Sequence, residues 1–338
     1  MLLQPKVWLS LAAESRNPPA RLRISAAHNE WNHVGIALTA VEEGYFAAEG
    51  LSEVELITFP ESSGELLDRE AVQVELLAQG AIDIAIDPRA TFVLEAKDKD
   101  QPVAIVAARR KNHAFIMIGE RGLKTIQDLR GAVVEMNHPG GATDVMMRQI
   151  LKDSGLTPDT DVRFSYNGRA MHDIRGVIES FKKGTYGPVI MVPVGEELAL
   201  VEAGHPILAD LRTRYPSRHD RVTAANEIFC RNHPDLLKGF LKGMIRGCRF
   251  VLDLGKKERL KEILQRAGFL TSDEERASFE NLFNVWHERI SSDLSLPMEG
   301  IQLIVDEQKR AGRISPSFRT EDVLRLEALQ LAQAELVA

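Results

Sequence analysis

The sequence has only two cysteines, Cys230 and Cys248. That is too few for a disulfide framework, and their spacing matches no zinc site. A pair of thiols fits a reducing compartment, but an exported protein can also lack disulfides. Long apolar runs are missing too. None approaches the roughly 20 residues of a membrane-spanning helix. The start, MLLQPKVWLSLAAESRNPPARLR, has one short apolar run at residues 7–13. A secretory signal needs a basic start, an apolar core of about 7–15 residues and a small-residue cleavage site. Pro5 and a lone Lys6 make a poor match to that template. The expectation is a protein that stays in the cytoplasm, or a periplasmic or cell-surface one if the start codon is misassigned. There is no close internal repeat and no low-complexity segment. Positive charge is in deficit: the net charge is −7. That balance speaks against nucleic acid or an anionic membrane as the main partner. It does not exclude a local basic site for a small anion.

What is present is ample. The chain has 338 residues, 44% of them hydrophobic and 27% charged. This is enough for two ordinary soluble domains. Strand-like and helix-like patterns alternate. Strands are predicted at 21–27, 53–59, 82–86, 102–108, 132–136, 162–166 and 188–194. Helices are predicted at 35–49, 69–79, 140–152, 171–183 and 196–202. Units of this order favour open sheets with parallel strands and helices on both faces. The blocks at 20–108 and 115–210 give two lobes. After residue 225 the pattern turns helical, at 234–252, 256–267, 273–290, 298–311 and 320–336. These helices are expected to return to the first lobe, which then comprises 20–110 and 222–338. The second lobe is 113–212, with hinges near 108–116 and 212–224.

Several weak motifs stand in one order. They are AVEEGYFAAEGL at 40–51, ELLAQGAIDIAI at 75–86, IQDLRGAVVEM at 126–136 and RNHPDLLKGFL at 231–241. Together they resemble the sulfonate-, nitrate- and thiamine-precursor-type substrate-binding proteins of ABC transporters, over roughly residues 21–310. The resemblance implies a two-lobed α/β fold of the type II periplasmic-binding-protein class, with an interlobe cleft and C-terminal helices. It implies a small-molecule ligand held by cleft closure, and a membrane permease as partner if the chain is exported. No cofactor is expected. Monomer and homodimer both remain open.

In open α/β sheets, ligands bind beyond the carboxyl ends of strands. That rule selects the loops at 27–34, 87–91, 137–143, 167–171 and 193–196. The first, HNEWNH, offers His28, Trp31, Asn32 and His33. Trp31 is a candidate ring-stacking wall or a lid on the lobe core. Asp87 either fixes a ligand amine or starts an ordinary turn. Arg89 and Arg169 have the geometry to grip a carboxylate or sulfonate in paired hydrogen bonds. In HPGGATD, Gly140 and Gly141 permit close backbone approach, and the helix start with Thr143 favours an anion. Thr91, His138, Asn167, Pro193 and Glu196 complete the candidate lining.

The resemblance also covers enzymes built on the same scaffold. The alternative is therefore a cytoplasmic, cofactor-free decarboxylase, hydratase or isomerase of an aromatic or small organic acid. In that reading His33 and His28, with Glu30, move protons. The same three residues make a metal site only if the loop folds back, and no second cluster supports one. The nucleophilic cysteine of a desulfinase and the cysteine-rich run of a pyrimidine synthase are both missing.

Overall fold

The structure is a computed structural model that describes residues 6–11, 21–59, 69–111, 115–136, 139, 142–166, 174–194, 197–219 and 221–337. The chain divides into two compact units, Met1–Lys111 with Arg218–Ala338, and Asn112–Ser217. The strands, in chain order, are β1 Lys6–Leu11, β2 Arg21–Ala26, β3 Glu53–Thr58, β4 Ile84–Arg89, β5 Val103–Ala107, β6 Phe115–Gly119, β7 Val133–Met136, β8 Arg163–Tyr166, β9 Val189–Pro193, β10 Ile207–Asp210 and β11 Arg221–Asn226.

Unit 1 is built on a sheet of order β1-β3-β2-β4-β11-β5. Strand β2 pairs in parallel with β3 and β4. Strand β11 runs antiparallel between β4 and β5. The central strands are buried on both faces, so their residues are apolar almost throughout rather than alternating. Alternation survives in which core each side chain enters. Ile84 and Ile86 join the core under the helices Trp31–Glu42, Pro234–Leu252 and Asp273–Arg289, while Ala85 joins the core of Ala90–Asp98 and Met298–Arg310.

Unit 2 carries an antiparallel sheet, β10-β6-β9, and a separate parallel pair, β7-β8. Met117, Val134, Ile150, Val162 and Val189 are fully buried in its core.

Some expectations need correction. Neither unit is built on a wholly parallel sheet: that of unit 1 is mixed, with β11 antiparallel between β4 and β5 and β1 antiparallel to β3, and the three-stranded sheet of unit 2 is antiparallel. The helix expected at 35–49 is Trp31–Glu42, followed by a 3-10 turn at Ala47–Glu49. It is interrupted at Gly44, whose φ of 72° is accessible to glycine and costly for other residues. The last predicted helix is two, Thr320–Val323 and Glu327–Glu335. Between them, Leu324 bridges Ile105 and the Arg325 amide donates to the Ile105 carbonyl at 3.0 Å. That contact covers an open strand edge, which is worth more to the fold than a continuous helix. The apolar run near the start contributes the strand β1.

The helix Pro234–Leu252 begins with proline in its first turn, where no amide partner is lost. Its glycines Gly243 and Gly247 face the chain of the first helix region. A Cβ at Gly247 would meet the Ile36 carbonyl oxygen at 2.9 Å, and one at Gly243 would meet the Phe46 ring at 2.4 Å. Phe46 has little freedom to move, since it is buried and stacked on Phe240 at 5.7 Å. In an open helix, alanine would stabilise by about 1 kcal/mol. Here overpacking wins, so Gly247→Ala and Gly243→Ala should each destabilise by roughly 1–3 kcal/mol. Thermal melts check this; a raised midpoint for either variant contradicts it.

Candidate functional site

At the carboxyl ends of β2, β4 and β5, polar groups gather on an otherwise apolar sheet. Glu70, in the first turn of the helix Arg69–Ala78, is 1% exposed. Its Oε1 faces His28 Nε2 at 3.0 Å and also receives Arg221. Its Oε2 lies 2.9 Å from Arg89 Nε. Asp87 is 2% exposed and held at φ 65°. Its Oδ2 accepts from Arg109 at 2.6 Å and from Arg110, and lies 3.5 Å from His33 Nδ1. Arg221 also donates to the Asp87 carbonyl at 3.0 Å. The His28 and His33 rings stand 4.7 Å apart.

This cluster has a definite electrostatic character. Burial pushes Asp87 toward the neutral form, but Arg109 and Arg110 outweigh it and hold the carboxyl well below its usual range. Burial works in the same way against Glu70, and Arg221, Arg89 and His28 overcome it. Both carboxylates are therefore charged at neutral pH. Burial lowers Arg110 to about 10, against the pull of Asp87, so it stays cationic. Burial, then His28 and Arg110, drives His33 well below 6.5, so that its ring is neutral. Arg109 and Arg110 thus share the single carboxylate of Asp87, and among the described residues their Nε atoms are buried without a hydrogen-bond partner. The cluster is not sealed. The side chains of Arg89, Arg110 and His33 each keep 12% exposure, Arg221 15% and His28 26%.

The sequence-predicted residues fall into three groups. His28, His33, Asp87 and Arg89 meet in this cluster. The Asp87 carboxylate, offered for a ligand amine or a turn, is engaged by two guanidinium groups. Trp31, Asn32, Thr91, Thr143 and Pro193 are placed, but elsewhere or otherwise. Trp31 is 9% exposed and packs on Phe279 at 4.8 Å and Trp286 at 5.0 Å, so its ring is used in the core. Asn32 contributes its carbonyl, which accepts from Arg109 at 2.9 Å and Trp286 at 2.8 Å. Thr91 is buried in the first turn after Arg89. Thr143 lies in the first turn of the helix Ala142–Asp153 of unit 2, and Pro193 ends β9. His138, Gly140, Gly141, Asn167, Arg169 and Glu196 lie outside the described residues.

Glu30 is exposed at the start of the helix Trp31–Glu42, where its carbonyl accepts from the His33 and Val34 amides. Among the described residues, no group of three or more His, Cys, Asp or Glu side chains is arranged to hold a metal ion. Burial pushes the thiols of Cys230 and Cys248 up, to about 11 and about 12, away from nucleophilic reactivity.

Sequence reasoning missed Glu70, Arg109, Arg110 and Arg221. The available signal was Arg109-Arg110 directly after an unbroken apolar strand, at the strand end the ligand rule selects. In unit 2, Asp144, Arg148 and Tyr166 form a separate network. The Tyr166 hydroxyl donates to Asp144 at 2.9 Å and accepts from Arg148 at 2.9 Å. Arg148 lies 4.2 Å over the Phe164 ring. This fastens the end of β8 to the first turn of the helix Ala142–Asp153.

A mixed sheet with polar groups collected at its strand ends, two compact units and a terminal run of helices define a protein of the periplasmic-binding-protein fold. The comparisons agree and are more specific: residues 30–254 match the family model described as NMT1/THI5 like, and the chain belongs to that family. The periplasmic aliphatic sulphonate binding protein SsuA of Escherichia coli superposes with a TM-score of 0.67 at 14% identity, covering 91% of this chain and 92% of that one. The periplasmic nitrate-binding protein NrtA of Synechocystis PCC 6803 gives 0.68 at 17% identity, covering 94% and 89%. Among curated proteins, the bicarbonate transport ATP-binding protein CmpC of Synechocystis is 23% identical in an alignment 295 residues long that covers 80% of this chain and 42% of that protein. The chain thus spans less than half the length of that relative. Both structural relatives are described as periplasmic, so the expectation of a cytoplasmic protein finds no support. Among the described residues, no helix is long and apolar enough to cross a membrane.

Proposed function

We propose that the chain binds a small anion at the unit 1 cluster and serves as the substrate-binding component of an ABC-type importer, passing its ligand to a membrane permease. The observation that carries this reading is the sharing of one buried carboxylate, Asp87, by Arg109 and Arg110. A guanidinium pair beside a partly exposed rim favours an incoming negative charge, which a carboxylate, sulfonate or inorganic oxyanion supplies. The relatives named for sulphonate, nitrate and bicarbonate support the same ligand chemistry. A cationic ligand suits this cluster less well, whereas an anionic, phosphorylated thiamine-precursor-like ligand fits the same chemistry. In the enzyme reading Glu30 helps to move protons, but it stands exposed at a helix start.

Calorimetry with sodium nitrate, bicarbonate, methanesulfonate and benzoate tests the proposal. Tris is the appropriate buffer, because sulfonate and phosphate buffers would compete. At least one anion should bind, and Arg110→Met should weaken it by roughly 10- to 100-fold, as for loss of a hydrogen bond to a charged group. Failure of the whole panel to bind the parent chain would sink the reading.

A further inference from the structure

We propose that the unit 1 cluster takes up its anion together with a proton, and that this proton resides on His33, whose ring stands beside that of His28. The proposal rests on the anion-binding reading above and deepens it. The two rings stand 4.7 Å apart, and each faces a buried carboxylate: His28 faces Glu70 at 3.0 Å, and His33 faces Asp87 at 3.5 Å. Charged groups reach the pair from every neighbouring element. Arg89 at the end of β4 and Arg221 at the start of β11 flank Glu70. Arg109 and Arg110, just after β5, bind Asp87. The helix Asp273–Arg289 contributes the neutral Trp286, whose indole N–H is bonded to the Asn32 carbonyl.

While the site is empty, one more positive charge among these guanidinium groups is opposed. Burial, His28 and Arg110 all favour neutral His33, and Asp87 alone is too weak to reverse them. A bound anion adds the negative charge that tips the balance toward imidazolium. Linkage is reciprocal: whatever factor the anion adds to proton affinity, the proton adds to anion affinity. A site made of arginine alone has no such coupling near neutral pH, because guanidinium groups keep their charge. The histidine pair thus makes capture favourable in mildly acidic surroundings and release favourable as pH rises.

The test is a pH-stat titration of unbuffered protein with sodium nitrate, sodium methanesulfonate and sodium benzoate, paired with affinities measured across the pH range. Proton uptake should approach one per anion bound. Affinity should rise by up to about tenfold per unit fall in pH between the bound-state and empty-state pKa of His33, and level off on either side. His33→Gln should bind with pH-flat affinity and take up no proton. Binding without proton uptake, at the same affinity from about pH 5.5 to about pH 8, overturns the proposal and leaves the anion reading standing. Undiminished uptake in a folded His28→Gln, His33→Gln double variant overturns it as well. No binding of any of the three anions overturns both readings. Should the variants fail to fold, the parent chain's proton count alone decides.

Discussion

Asp87→Ala is expected to lower stability by about 3–5 kcal/mol, the usual cost of removing one partner from a buried ion cluster. The carboxylate is 2% exposed, and Arg109 beside it is 1% exposed. Neither guanidinium can recover full hydration when the carboxylate is gone. That loss is a large share of the roughly 5–15 kcal/mol that holds a domain folded. A smaller backbone contribution adds to it, because φ at this residue is 65° and alanine tolerates that region less well than aspartate. Two further variants separate the causes. Asp87→Gly relieves the backbone and keeps the charge defect. Asp87→Asn keeps an acceptor and the backbone tolerance but removes the charge. If charge dominates, all three should be destabilised, alanine most. Urea unfolding followed by tryptophan fluorescence reports on unit 1, since the three tryptophans, Trp8, Trp31 and Trp286, all belong to it. An Asp87→Gly chain as stable as the parent would show that the carboxylate does not hold these arginines.

The second large effect is a loss of stability in acid that proceeds in two stages. Folded His33 has a pKa well below 6.5, whereas the unfolded chain titrates near that value. As pH falls below 6.5, the unfolded state gains a proton that the folded state refuses. Stability should drop by up to about 1.4 kcal/mol per pH unit until the folded pKa is reached. Asp87 and Glu70 are depressed carboxylates, so their contribution is complete above the unfolded values of 3.8 and 4.5. It fades below those values, as pH falls toward the folded pKa of each. Melting temperatures at intervals from neutral to acid pH should therefore show a first decline below 6.5 and a steeper one below the carboxylate range. His33→Gln should abolish the first and spare the second. A flat profile down to the carboxylate range would mean that His33 is solvated and titrates normally in the folded chain.

How much of this was legible in the sequence depended on range. The helix Pro234–Leu252 was read with its true ends, because its proline start and apolar face are local signals. His28, His33, Asp87 and Arg89 were selected because each stands at or just beyond the carboxyl end of an apolar strand. Arg221 was not, because β11 runs opposite to β4 and presents its amino end at the same edge. Nothing in a polar stretch around Arg221 announces an antiparallel strand. Glu70 sits inside a helix pattern, where a carboxylate reads as solvated surface. Arg109 and Arg110 were absorbed into the crossing segment between lobes. Trp31 was assigned to ligand stacking or core covering with equal justice, since its partners Phe279 and Trp286 lie far along the chain.

The position of β11 has a consequence for how the protein is made. Strands β4 and β5 are separated by a strand that leaves the ribosome only after the whole of Asn112–Ser217 has been synthesised. Until then the two strands expose facing, apolar edges, the kind of surface that invites pairing with another chain. Closing that gap requires a contact between distant parts of the sequence, which slows folding. A nascent chain halted near residue 217 would hold about half of the buried hydrophobic residues of unit 1, but neither the strand that completes its sheet nor Arg221, one of the two arginines that pair with Glu70. Shielding of that interval by a chaperone is where synthesis of this protein should be most sensitive.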